Sequence, residues 1–127
     1  MGTQLERAVK LLRESDDLMM YFGGSDLIYR DASILRFRRL YFLLCRELDA
    51  RLGSEFYDQD FLVRISLCAV RGMLRGELSH WKRFGMMMDN SCDLLPRFVH
   101  ACSVHLIEEA EHFLEKFHQN QQTDRQI

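Results

Sequence analysis

Phe37-Arg38-Arg39-Leu40-Tyr41-Phe42-Leu43-Leu44-Cys45-Arg46-Glu47-Leu48 decides the fold class. Its centre, Leu40 to Cys45, is apolar for six residues, more than a turn and a half of helix, so no polar face survives there. Such a helix is covered on several sides or offers a surface to a partner. The chain has one proline, Pro96, and seven glycines in 127 residues, too few turn residues for an all-β domain. The expected fold class is therefore all-α.

Working outward, Ser25 or Asp26 is read as the cap of this helix, which runs to about Leu52 and ends at Gly53-Ser54. Upstream, Thr3 and Glu6 fit a T-x-x-E capping box for a helix to Tyr21. Leu5, Val9, Leu12, Met19 and Phe22 form its apolar stripe, Glu6, Arg7, Lys10, Arg13 and Glu14 face the other way, and Gly23-Gly24 stop it. Downstream, a short turn from Ser54 to Asp58 precedes a helix predicted over 59–75, with the stripe Phe61, Ile65, Cys68, Ala69 and Met73 and with Gly76 as its breaker. Ser79 is read as the N-cap of a helix over 80–90. Asp93 or Leu94 opens the last helix, with Pro96 in its first turn, where the missing N–H costs nothing. Leu95, Phe98, Val99, Cys102, Leu106, Ala110, Phe113 and Phe117 form a long stripe, and a polar tail over about 119–127 is expected to fray. The chain reads as a single domain, 1–127.

Seventeen basic residues against 19 acidic ones leave a formal charge of −2, which disfavours generic nucleic-acid binding. A hydrophobic share of 47% excludes intrinsic disorder. The longest apolar run is six residues, far short of the ~18 of a membrane span, and the N-terminus carries no apolar signal stretch, so the expected location is cytoplasmic. Cys45, Cys68, Cys92 and Cys102 have no C-x-x-C spacing and read as reduced, buried thiols.

Chemistry-bearing clusters are few. Glu109 and His112 make a literal E-x-x-H, and His105, Glu109 and His112 could together hold one metal ion from one helix face. The plainer reading is a solvated acidic face with surface histidines, and no cofactor or metal is expected. Asp16-Asp17 and Asp58-x-Asp60 read as helix-end capping acids. There is no G-x-S-x-G elbow and no phosphate-cradling glycine loop, so the chain is not expected to be an enzyme. Met86-Met87-Met88 fit either a buried helix or the floor of an adaptable groove.

Gly76-Glu77-Leu78-Ser79-His80-Trp81-Lys82-Arg83 follows one apolar helix and opens another. It resembles the first homology motif of the B-cell lymphoma two (Bcl) family of apoptosis regulators, D-G-V, an optional T, then N-W-G-R. Trp81 and Arg83 match, Leu78 takes the apolar slot and Ser79 that of the threonine. The run from Phe37 to Leu48 is similar to the family's second helix, and Pro96 with the stripe to Phe117 is similar to its sixth. The family's Asn is His80 here and its Gly is Lys82; the loop between the first two helices and the segment from Trp81 to Pro96 are short; the Trp-rich second motif and a C-terminal anchor are not recognisable. A reduced form of this kind is most similar to virus-encoded members.

The resemblance implies a bundle of about six helices around a central helix opened by Trp81, with a hydrophobic surface groove. It implies an apoptosis inhibitor that sequesters BH-three helices of host pro-death proteins, cytoplasmic or brought to the mitochondrial surface by its partners, with a homodimer in prospect. Groove residues would be Phe37, Tyr41, Leu44, Leu48, Ala69, Met73, His80, Lys82, Arg83 and Met86. Arg83 would pair with an aspartate of the incoming helix, and Lys82 would narrow the range of ligands. The rival readings are a metal-binding helical bundle and a generic helical oligomeric adaptor.

Overall fold

The apolar centre around Leu40 to Cys45 is covered by packing from every side except that of Phe42. The computed structural model describes residues 2–23, 27–89 and 93–126. It holds α1 (Gly2–Tyr21), α2 (Leu27–Leu52), a 3-10 turn (Ser54–Phe56), α3 (Phe61–Val70), α4 (Leu78–Met87) and α5 (Pro96–Gln126), and no strand among the described residues. The all-helical expectation holds among the described residues, which form five α-helices where about six are expected. The expected caps Ser25 and Asp26, the helix end at Asn90, and Cys92 lie outside the described residues.

α2 is the central element: it contacts α1, α3, α4, α5 and the 3-10 turn. Leu40, Leu44 and Phe37 are wholly buried, and Leu43, Leu48 and Leu52 nearly so. α1 lies antiparallel against it, as the pairings Arg46–Gln4, Arg36–Leu11 and Ser33–Ser15 show in sequence order. Between them, the Ser33 hydroxyl donates to the Ser15 hydroxyl at 3.0 Å, and Ser15 to the Leu12 carbonyl at 3.1 Å. Two small side chains that satisfy each other let two helices pack without an unpaired buried group.

The helix opened by Trp81 is not the central one, which corrects the expectation from the resemblance. α4 has ten residues and a single apolar face, Trp81, Phe84 and Met87, while Lys82, Arg83, Gly85 and Met86 are exposed. A helix with one narrow apolar stripe packs on one side only. α2, longer and apolar all round, takes the middle instead. α4 joins it through an aromatic cluster: Phe84 meets Phe37 at 5.5 Å and Trp81 at 5.0 Å, and Tyr41 and Phe61 each lie 6.0 Å from Trp81.

Several boundaries differ from expectation. α1 starts at Gly2, ahead of Thr3, and α4 starts at Leu78, with Glu77 in the cap position and Ser79 inside the first turn. α3 stops at Val70 rather than 75. Gly72, at φ +79°, donates to the Ala69 carbonyl, and Met73 to that of Cys68, the paired bonds that close a helix end through a left-handed residue. Met73, just beyond, is buried. α5 begins at Pro96 itself, and its backbone stays helical to Gln126, through the tail expected to fray.

Gly76 is the second left-handed residue of this connection, at φ +73°. A Cβ there would sit 2.4 Å from the Ala69 Cβ, so the turn touches α3 directly. Gly76→Ala is expected to destabilise the fold by about 2–4 kcal/mol, from left-handed strain plus overpacking. Gly23, at φ +65° with open space around it, provides the control. Gly23→Ala should cost only about 1–2 kcal/mol, the strain alone. Urea unfolding of the two variants checks the difference.

Candidate functional site

α4 is held in place by a buried carboxylate on α5. Glu109 is 3% exposed. Its Oε1 accepts the Arg75 backbone N–H at 2.9 Å; its Oε2 accepts that of Gly76 at 3.0 Å and the Trp81 indole N–H at 2.9 Å. Three donors on one carboxylate fix the Gly76 turn and the indole together, and so fix the direction in which α4 leaves the turn. At the other end of α4, Arg38 of α2 donates to the Met87 carbonyl at 2.9 Å, closing the helix C-terminus.

This placement leaves a cleft of about 260 Å³ between α4 and the first half of α5. His80, Arg83 and Phe84 form one wall. Arg97, Phe98, Ala101, Cys102 and His105 form the other, and Leu95, 69% exposed, stands beside them. Burial pushes the Cys102 thiol up to about 11, so it stays protonated and acts as apolar surface. His80 and His105 stack face to face with ring centroids 3.6 Å apart. The His105 Nδ1 atom is buried with no hydrogen-bond partner, 3.8 Å from the Glu108 carboxylate. No carboxylate lines the cleft, and among the described residues Arg83 and Arg97 make no ion pair or hydrogen bond.

Of the ten groove residues expected from the sequence, His80 and Arg83 line this cleft. Phe37, Leu44 and Leu48 lie in the closed core, at most 2% exposed, and Met73, 3% exposed, borders a different pocket beside Arg51, Arg71 and Lys116. Tyr41 is half-buried in the aromatic cluster, and Ala69 is half-buried against the Gly76 turn. Lys82 and Met86 are exposed on α4 but do not border the cleft, so Lys82 is not positioned to obstruct a ligand there.

The three-residue metal reading on α5 is overturned by how its members are engaged. Glu109 points inward to three N–H donors, His105 stacks on His80, and the His112 Nε2 atom lies 3.1 Å from the Gly72 carbonyl oxygen. Among the described residues, no three His, Cys, Asp or Glu side chains gather in a group that could hold a metal ion. Asp16 is not an exposed helix-end acid either. It is 5% exposed, its carboxylate lies 2.9 Å from the His100 Nδ1 atom, and burial raises its pKa against the opposing effect of that imidazole. Cys45, Cys68 and Cys102 are free thiols, with Cys68 and Cys102 buried, as expected. No helix of the described residues is long and apolar enough to cross a membrane.

The α5 wall and the role of Glu109 are absent from the sequence expectations. A signal for the latter is present in the chain: Glu109 is three residues after Leu106 and four before Phe113, which puts a carboxylate on the apolar stripe itself. Phe98 and Cys102 read from sequence as core stripe. That they border a cleft depends on where α4 stops, which the stripe does not encode.

Glu109→Gln keeps the shape but turns an amide N–H₂ toward a backbone or indole N–H. We expect a loss of about 2–4 kcal/mol in unfolding free energy, seen as a lowered urea midpoint. The His105 imidazole is held below its ordinary value of 6.5, first by burial and then by the neighbouring His80 and Arg83, with Glu108 opposing. The unfolded chain therefore binds more protons between the two values, and the stability present above pH 6.5 is lost as pH falls through the folded value. His105→Phe, which can still stack, should flatten that slope in urea midpoints measured from pH 7.5 to 5.

In comparison with known proteins, the chain matches no family model, no curated protein and no solved structure.

Proposed function

We propose that this chain is a non-enzymatic binding protein that seats the amphipathic helix of a pro-death partner, a BH-three segment, and restrains apoptosis by sequestering it. The observation that supports the reading is the α4–α5 cleft, whose walls are apolar and whose charged groups are cationic with no carboxylate among them. An apolar ridge at i, i+3/i+4 and i+7 fills such a cleft, and a carboxylate beside the ridge sets its register. The Bcl family, which the Trp81-x-Arg83 segment resembles, is a known example of this helix-in-groove mode. At about 260 Å³ the cleft is smaller than the ~300–1,000 Å³ of drug-sized pockets, so it accepts side chains of a ridge while the helix backbone lies along the mouth. The site differs from the groove inferred from sequence, since only His80 and Arg83 of those ten residues border it, but Arg83 keeps its role as the register charge.

A generic oligomeric adaptor is the second reading. It is favoured by exposed apolar side chains away from the cleft, notably Tyr21, Leu35 and Val70, at 82%, 66% and 84% exposure. A homodimer, a cytoplasmic location and a host partner for a virus-encoded chain belong to these proposals.

Calorimetric titration with a panel of BH-three peptides tests the first reading. The wild type should bind at least one peptide in the micromolar range or tighter, and Arg83→Ala should weaken that binding about fivefold or more without altering the helical circular dichroism spectrum. Binding no stronger than that of scrambled peptides overturns the reading; unchanged affinity of Arg83→Ala overturns the role of Arg83.

A further inference from the structure

We infer that the cleft reads two carboxylates on its partner, one at Arg83 and one at Arg97, on either side of a single apolar ridge. The inference rests on the helix-binding reading and extends it to a residue on the facing wall. Arg83 comes from α4 and Arg97 from the first turn of α5, so the two guanidiniums border one apolar space from different helices.

The neighbouring acids are committed elsewhere. Asp93, four residues before Arg97, accepts from Arg30 of α2 at 2.9 Å. Arg30 also holds the Leu94 carbonyl and Asp31, so Asp93 is drawn toward α2. Glu108, on the α5 side, lies 3.6 Å from Arg75 and 3.8 Å from His105. Glu109 is buried under Trp81. Several arginines elsewhere in the fold are engaged: Arg13 with Glu111, Arg64 with Asp49, and Arg36 and Arg71 with backbone carbonyls. Arg83 and Arg97 have no such partner among the described residues.

The two guanidiniums give the cleft a positive field beside its apolar walls. Such a field repels a ridge flanked by lysine or arginine and attracts one flanked by acids. A single carboxylate satisfies one fork and leaves the other guanidinium against the partner's surface. A carboxylate on each flank satisfies both, each by a planar two-point contact that lysine cannot reproduce. The partner is thus an amphipathic helix with acidic residues on both flanks of its apolar face.

The test uses four synthetic helices with one apolar ridge: acids on both flanks, on either flank alone, and glutamine on both. Each is titrated calorimetrically into the full chain, into Arg83→Gln, and into Arg97→Gln. Arg97 makes no hydrogen bond among the described residues, so circular dichroism and urea midpoint should match the wild type. The doubly acidic helix should bind about tenfold more tightly than either singly acidic one. One singly acidic helix should respond only to Arg83→Gln and the other only to Arg97→Gln, with Arg97→Lys intermediate. If the doubly acidic helix binds but Arg97→Gln leaves its affinity unchanged, the two-carboxylate inference fails and the helix-binding reading stands. If none of the four binds, both fail. If sedimentation shows a dimer that Arg97→Glu dissociates and that the peptides do not disturb, the cleft belongs to a second copy of the chain and the inference is overturned.

Discussion

A carboxylate with three N–H donors holds this fold together at its most irregular point. The connection from α3 to α4 reverses the chain through two left-handed glycines, Gly72 and Gly76, and leaves backbone donors with no helical partner. Glu109 accepts those of Arg75 and Gly76 and adds the Trp81 indole. A buried carboxylate is costly unless its lone pairs are filled, and here they are filled by groups that would otherwise be unsatisfied themselves. The two requirements cancel only in one geometry. α4, the aromatic cluster beneath it and the cleft beside it all inherit their position from that geometry.

The rest of the bundle uses cationic side chains in a complementary way. Arg38 donates to the carbonyl of Met87 at the end of α4, Arg71 to that of Leu52 at the end of α2, and Lys116 to that of Arg71 just past α3. Each cation meets the negative end of a helix and an orphan acceptor at once. Another cation uses an aromatic face: the Arg51 guanidinium lies over the Phe117 ring, 3.6 Å from its centroid. Many of the seventeen basic residues are therefore structural, and the net charge says little about partners. What bears on partners is which cations are left over at a concave apolar surface, and Arg83 and Arg97 are two of these.

The cleft is an apolar surface bordered by two cationic side chains. Its thiol is held protonated, its histidines face each other instead of a nucleophile, and its walls are apolar. Such a surface gains binding energy from the shape and burial of side chains, with charge used to orient them.

The amino-acid pattern alone determined that this chain is all-α, where α1 and α2 run, that a last helix opens around Pro96, and that the centre of α2 has no polar face. These follow from local spacing: the stripe from Leu5 to Met19, the apolar centre from Leu40 to Cys45, and Pro96 at a position where a helix can begin. The motif around Trp81 correctly marked a helix start but not the helix's rank in the bundle. Centrality is decided by how many faces each helix must bury, a comparison between α2 and α4 that neither segment contains. The tertiary structure alone decided that Glu109 faces inward, that Phe37 and Leu44 are core while Phe98 and Arg97 border open space, and that Asp16 meets His100 across 84 positions of chain. The reason is physical: periodicity states which side of a helix is apolar, but the end point of α4 and the donors gathered on one carboxylate exist only once distant segments meet.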